Sequence, residues 1–176
     1  MEQKKTETST FRLEKDVLEK LREEAKTEKI SLNAYVNQII TKFVEWYSPA
    51  QKAGMVPLPK QLLIMIMDEL SDEQIIQIAE NMVTKEIRDI ILVLKGENNI
   101  SGFLSVIESW AKTSNFPITH QELGGSTHKY VISHEMGKNW SLYFGVIFTR
   151  MFEDLGIKRV NCEITDKTLI FSLTYF

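Results

Sequence analysis

Apolar and polar positions alternate or recur with helical spacing in the first 47 residues of the chain. Residues 8–13 (Thr-Ser-Thr-Phe-Arg-Leu) alternate towards their end and predict a short strand. A helix is expected from about 15 to 28, and Ser31 is a suitable N-cap for a second helix from about 32 to 47. That second helix carries an apolar stripe with a spacing of 3.6 residues: Leu32, Val36, Ile39, Ile40, Phe43, Val44 and Tyr47.

The segment 49–59 has the composition of a hinge. It follows Ser48, it begins with Pro49, and it contains Gly54, Pro57 and Pro59, which interrupt regular structure. We therefore expect an N-terminal module at 1–48, a linker at 49–59, and a second domain at 60–176.

The second domain is predicted to begin with helices and to end with strands. Lys60–Leu70 is expected to form one helix, Ser71–Gln74 resembles a capping box, Thr84 is a candidate cap for a further helix that Gly96 ends, and Asn98 or Asn99 is expected to cap the next. From about residue 116 the order becomes strand, helix, strand, strand, with a hairpin at Gly124-Gly125 and a helix at 137–155. The last two strands are expected at 160–164 and from Leu169 to Tyr175. The fold class is α+β, with a small antiparallel sheet packed on helices in a two-layer C-terminal domain.

Composition narrows the class of protein. Hydrophobic residues make up 43% and charged residues 26%, as in globular proteins, and no apolar run approaches the length of a membrane span. The N-terminus has no apolar segment typical of a secretory signal, and Cys162 is the single cysteine, which suits a reducing compartment. These features predict a cytoplasmic protein without a membrane partner.

The strand predicted at 8–13 needs a second strand to pair with, and a dimer can supply one. One strand of six residues has no partner for its backbone or its apolar side chains, so it is unstable alone. Since only two helices follow it in the module, the pairing strand is expected to come from a second copy. Two such strands form an antiparallel ribbon that fits the major groove of DNA.

Residues 8–47 resemble the Arc/CopG/MetJ-like ribbon-helix-helix family. The matching features are the short strand, helix one with Val17, Leu18 and Leu21, and the Ser31-Leu32-Asn33 step that opens helix two. The resemblance implies that Thr8, Thr10 and Arg12 face DNA bases, with Ser9, Phe11 and Leu13 towards the core. It also implies that the backbone amides of Ser31, Leu32 and Asn33 bind phosphate, as a helix N-terminus can. Lys4 and Lys5 would add phosphate contacts as an arm.

The charge balance leaves a second interpretation of this module open. The net charge of the chain is −3, and residues 1–47 contain nine basic and nine acidic residues. Affinity for DNA would therefore depend on where the charges lie and on their duplication in a dimer. A dimerisation module that does not touch DNA, with Arg12 as a solvated charge, is the alternative.

Three histidines in the second half, His120, His128 and His134, are weak candidates for metal ligands. Their spacing matches no compact metal motif, and Cys162 alternates with Val160 and Ile164 like a core residue. Ordinary surface or hydrogen-bonded histidines are the favoured interpretation. The junction His134–Ser141 is interpreted as a capped helix start with a buried Trp140, and a ligand pocket or interface is its alternative. No catalytic motif is present, so we expect neither an enzyme nor a cofactor.

The sequence thus predicts a DNA-binding transcriptional regulator, a repressor acting by occlusion, as a homodimer or a dimer of dimers. Its C-terminal domain would sense a small-molecule effector or drive assembly. The alternative function is a ribbon-helix-helix interaction protein, such as an antitoxin that neutralises a partner protein. The more than 110 patterned residues after the hinge favour a sensor, because antitoxins of this kind usually have short or disordered tails.

Overall fold

The computed structural model describes residues 6–174 and divides the chain into two compact units, with the boundary between Phe43 and Val44. Lys4, Lys5 and Tyr175, which the sequence analysis includes, lie outside the described residues. Each unit has its own secondary structure and is described by itself below.

The first unit contains two helices, α1 at Lys15–Thr27 and α2 at Leu32–Lys42. Helix α1 ends in a Schellman motif, in which Lys29 has a φ of 56° and the amide of Ile30 donates to the carbonyl of Ala25. Ser31 then caps α2 by accepting a hydrogen bond from the amide of Ala34 at 3.1 Å. The two predicted helix starts are therefore confirmed.

The predicted strand at 8–13 does not form in the single chain. Residues 6–14 contain neither helix nor strand, and the first regular element begins at Lys15. The structure of the single chain therefore does not show the expected strand, which was predicted to pair with a second copy because a strand needs a neighbour for its backbone groups. The second predicted helix also ends earlier than expected, at Lys42, and a π-helical turn at Phe43–Tyr47 follows.

The second unit begins with a helical layer. Helix α3 (Ser48–Lys52) occupies the start of the segment expected as a hinge, and Trp46 and Ala50 are buried in this unit's core. The layer continues with α4 (Lys60–Asp68), α5 (Asp72–Met82), a π-helical turn (Val83–Ile87), α6 (Arg88–Lys95) and α7 (Ile100–Thr113).

Most of the predicted helix boundaries in this layer are confirmed. Ser71 and Gln74 form a reciprocal capping box, Asn99 caps α7, and Gly96 ends α6 in the left-handed conformation. The expected cap at Thr84 is wrong. Thr84 lies inside the π-helical turn, where its hydroxyl donates to the carbonyl of Glu80 at 2.9 Å instead of accepting from an amide.

The C-terminal part forms a four-stranded antiparallel sheet in the order β1-β2-β4-β3. The strands are β1 (Ile118–Gly124), β2 (Thr127–Ser133), β3 (Arg159–Ile164) and β4 (Thr168–Thr174), and α8 (Lys138–Asp154) connects β2 to β3. This confirms the predicted hairpin at Gly124-Gly125, the helix that follows it and the two last strands, and with them the α+β class.

The core lies between the sheet and the helical layer. Met151 and Phe152 of α8 are fully buried, as are Leu169 and Phe171 of β4. Gly145 lets α8 approach β3 closely, since a Cβ there would lie 3.2 Å from the Sγ atom of Cys162. Between residues 6 and 174 no single helix is long and apolar enough to cross a membrane. One bent pair of helical segments, Asp72–Lys95 and Ile100–Thr113, has the required length and composition only when the two segments are taken together.

Candidate functional site

The segment before α1 exposes polar and apolar side chains alike. Thr8, Thr10 and Arg12, the expected base-reading residues, are exposed. Phe11 is 68% exposed and Leu13 is also exposed, although both were expected in a core. In the single chain, the alternating residues of the segment 8–13 are therefore exposed on both sides, and the segment has no buried face.

Helix α2 presents a further unpartnered apolar surface in the same unit. Ile39, Ile40 and Phe43 are exposed, and Phe43 reaches 55%. Among the described residues of this unit, Ala25 is the one hydrophobic residue that is buried. A unit with so small a core is short of the apolar burial that folded domains need, and its exposed Leu, Ile and Phe side chains are of the kind that a protein partner covers.

The N-terminus of α2 is open to solvent. Ser31 and Asn33 are exposed, Leu32 is half-buried, and no acidic residue lies in the first turn. Ser31 satisfies the amide of Ala34, whereas the first amides of a helix have no acceptor within it. The helix start thus offers N–H groups and a positive dipole end of the kind that binds anions.

Two of the three histidines meet on the hairpin of the second unit. His120 of β1 and His128 of β2 lie with Nε2 and Nδ1 2.9 Å apart. The ring planes are inclined by 18° and the centroids are 5.1 Å apart, so the rings meet edge to edge. This geometry fits a single hydrogen bond between the two imidazoles.

The third histidine, His134, is buried at the end of β2 and is 3% exposed. Its Nδ1 atom accepts from the amide of Met136 at 2.9 Å, so the ring hydrogen belongs on Nε2. Nε2 lies 2.7 Å from the hydroxyl of Ser141, which in turn donates to the carbonyl of Thr165 at 2.6 Å. The Ser141 proton is therefore committed to a carbonyl and the hydroxyl is not set up as a nucleophile.

Burial lowers the pKa of His134, and the nearby positive charge of Lys60 lowers it further. The imidazole is thus held neutral with both nitrogens engaged, which leaves no lone pair for a metal. Across residues 6–174 no group of three or more His, Cys, Asp and Glu side chains is placed to hold a metal ion.

The start of α8 is held without a side-chain cap. Gly137 is the N-cap residue, has a φ of 90° and offers no side chain to cap the helix. The junction is instead tied to α4, because Lys60 donates to the carbonyl of His134 at 2.9 Å and Asn139 donates to that of Met67 at 2.8 Å. Trp140 is half-buried, and its indole N–H is buried with no hydrogen-bond partner in the described part of the chain.

An open groove of about 390 Å³ lies between α5, α8 and β3. Its walls are mainly apolar and include Ile76, Leu142 and Val146, with Cys162 and Ile164 behind them. Arg150 borders the groove and is paired with Glu80 at 2.7 Å. Burial and the neighbouring Glu163 raise the pKa of the Cys162 thiol to about 11, so the thiol is protonated and unreactive.

Sequence reasoning missed that α4 exposes several apolar side chains. Its outward side carries Leu62, Met65 and Ile66, all of them exposed. The apolar run Leu62–Met67 was visible in the sequence, but a run of that length is also typical of a buried helix.

A model of the HicB family, a ribbon-helix-helix-like antitoxin family, matches residues 7–40. The match covers about a fifth of the chain and falls on the segment before α1, on α1, and on most of α2. No curated protein and no solved structure matches the chain.

Proposed function

We propose that this chain is an interaction protein of the antitoxin kind, which dimerises through its first unit and neutralises a partner protein. The observation that carries the proposal is the match of residues 7–40 to an antitoxin family. The match coincides with the part of the chain whose apolar side chains lack a core of their own.

Dimerisation follows from the physical state of the first unit. Pairing two copies of residues 8–13 satisfies backbone groups that have no neighbouring strand in the single chain, and it covers Phe11 and Leu13. The exposed face of α2 then packs against its counterpart. Such an obligate dimer melts at a temperature that rises with protein concentration.

The second unit supplies the surface that recognises the partner. Its folded core, with a four-stranded sheet and a helical layer, holds apolar surfaces in fixed positions. The groove beside Ile76 and Val146 is one such surface, and Arg150 and Glu80 border it with charges that can orient a partner.

Growth measurements test the antitoxin activity. The protein encoded beside this chain in its genome is expressed in a bacterial host with and without the chain. We expect growth arrest from the neighbour alone and recovery when the chain is present, with a complex of the two on gel filtration. A neighbour that is harmless by itself, or a toxic one that the chain neither binds nor relieves, contradicts the proposal.

A second candidate function is that of a DNA-binding transcriptional regulator. The exposed residues of the first unit support it. Thr8, Thr10 and Arg12 are exposed on one segment, and the N-terminus of α2 lacks acidic residues. In a paired ribbon these features would serve base contacts and phosphate contacts, respectively. The groove of the second unit would then be the place for a small-molecule effector. Binding to DNA fragments selected from a random pool tests this function.

A further inference from the structure

His120 and His128 lie side by side on one face of the β1–β2 hairpin. His120 is paired with Tyr130 across the two strands, and His128 is two residues from Tyr130 on β2, so both histidines project from the same side of the sheet. Their facing nitrogens, Nε2 of His120 and Nδ1 of His128, are 2.9 Å apart. His120 is exposed and His128 is half-buried, so the pair lies at the surface.

The ring of His120 is held in place by a column of stacked aromatic rings. It stacks on Tyr130 with centroids 4.4 Å apart and planes inclined by 9°, and Tyr130 stacks on Phe171 with centroids 4.8 Å apart. Tyr130 and Phe171 are both buried in the core of the second unit. A side chain that packing already orients loses little conformational freedom when it binds a ligand, and this favours binding.

We propose that His120 and His128 together bind a divalent transition-metal ion such as Zn²⁺. Neutral imidazole is the commonest protein ligand of such ions, and each of the two facing nitrogens can present a lone pair. Zinc–nitrogen bonds are about 2.0–2.1 Å long, so two of them span about 2.9 Å at a right angle and about 3.3 Å at a tetrahedral angle. The observed separation matches the first arrangement and needs about 0.4 Å more for the second.

The metal ion takes the place of the hydrogen bond between the two rings. In a neutral pair, one ring donates its N–H to the other, and the second ring carries its hydrogen on its outer nitrogen. On binding, the donated hydrogen moves to the outer nitrogen of its own ring, so both facing nitrogens bind the ion and no proton is lost overall. Small rotations of the rings about their Cβ–Cγ bonds then aim both lone pairs at one point.

The charges around the histidine pair favour a cation. Glu122 is exposed, lies directly opposite His128, and projects from the same face as His120 because it is two residues away on β1. Its negative charge attracts the ion, whereas the neighbouring Lys129 of β2 projects from the opposite face. Residues 6–174 contain no group of three or more His, Cys, Asp and Glu side chains placed around a metal, so water completes the coordination of an ion held by the two histidines.

Titration of the full-length protein with Zn²⁺, in competition with a chromophoric chelator, tests the site. His120→Gln and His128→Gln each remove one ligand, and we expect each to weaken the affinity for Zn²⁺ by more than about tenfold. Gln121→Ala, an exposed position on the opposite face of β1, is the matched control and should bind Zn²⁺ as the parent does. Because the ion joins β1 to β2 in the folded state, Zn²⁺ should raise the melting temperature of the parent and the control more than that of either histidine variant.

Nuclear magnetic resonance of the imidazole nitrogens identifies the ligands in the parent protein, so this readout does not depend on the folding of any variant. Zn²⁺ should shift the ¹⁵N resonances of Nε2 of His120 and Nδ1 of His128. Both nitrogens of the buried His134 are engaged in hydrogen bonds, so their resonances should stay unchanged. A parent that binds Zn²⁺ no tighter than His120→Gln, or a Zn²⁺ titration that leaves these two resonances in place, overturns the proposal.

Discussion

The Nε2 atom of His134 lies 2.7 Å from the hydroxyl of Ser141, and both side chains are buried where β2 leads into α8. The hydroxyl of Ser141 donates a hydrogen bond to the carbonyl of Thr165, and Nδ1 of His134 accepts one from the amide of Met136. This arrangement satisfies the neutral imidazole completely. A second proton on the ring would face the amide of Met136, which already donates.

We therefore expect the second unit to lose stability in mild acid. The pKa of His134 is lowered in the folded state by burial and by Lys60, so below the ordinary value of 6.5 the unfolded chain binds a proton that the folded chain does not. The contribution of neutral His134 to the stability of the fold is complete above pH 6.5. It is lost as the pH falls from 6.5 towards the lowered pKa of the folded state. One proton changes the free energy of unfolding by at most about 1.4 kcal/mol per pH unit.

Urea unfolding of parent and His134→Gln at pH 7.5, 6.5 and 5.5 measures this loss. The amide of glutamine can accept and donate but does not titrate, so the variant should lose less stability between pH 7.5 and 5.5. If the free energy of unfolding falls equally with pH in the two proteins, the protonation of His134 does not affect stability in this pH range.

Gly102→Ala should destabilise the second unit by about 1–3 kcal/mol, as overpacking of a tight site does. A Cβ at Gly102 would lie 2.7 Å from the backbone carbonyl oxygen of Glu97, which cannot move without shifting the chain before α7. The adjacent exposed Ser101→Ala is the matched control and should be neutral or slightly stabilising, because alanine favours helix. Thermal melts of both variants measure the difference, and a Gly102→Ala protein as stable as Ser101→Ala would refute it.

Trp140→Phe should keep most of the stability that Trp140→Ala loses. The Trp140 ring contacts Phe144 with centroids 4.9 Å apart, and phenylalanine can preserve this contact. Phenylalanine also removes a buried N–H without a partner in the described chain, a group that costs about 1–3 kcal/mol. We expect Trp140→Phe within about 1 kcal/mol of the parent and Trp140→Ala about 3 kcal/mol lower. Chemical unfolding checks the order, and equal losses in both variants would mean that the indole N–H is satisfied.

The DNA-binding candidate predicts different effects for two exposed residues of the first unit. Arg12→Ala should weaken the best site and reduce the preference between sites, since an arginine–guanine pair contributes about 1–3 kcal/mol of discrimination. Asn33→Ala, at the start of α2, should weaken binding evenly across sequences, because phosphate contacts carry no sequence information.

Titrations on specific and scrambled DNA at two salt concentrations distinguish these effects, with circular dichroism as the folding control. Both side chains are exposed, so neither change should unfold the protein. If the parent and Arg12→Ala bind the specific site equally, the segment before α1 does not read bases through Arg12.

Local signals in the sequence were sufficient for most element boundaries. Ser31, the pair Ser71 and Gln74, and Gly96 act within one helical turn of their own position, so their effect is readable without the rest of the fold. The alternation in β3 and β4 and the turn at Gly124 and Gly125 were likewise readable, because each depends on neighbours in the chain.

Long-range contacts decided the rest. Separation along the chain did not reveal that His120 and His128 meet across a hairpin, or that His134 is enclosed by Ser141 and Met136, because strand register and helix packing determine those distances. The apolar side chains that α4 exposes were equally hidden, because the contacts of this helix with distant residues, such as the hydrogen bond from Lys60 to the carbonyl of His134, are not readable from its own sequence. For residues 8–13 the sequence predicted a strand paired with a second copy, and the single chain shows no strand there, because no neighbouring strand pairs its backbone groups.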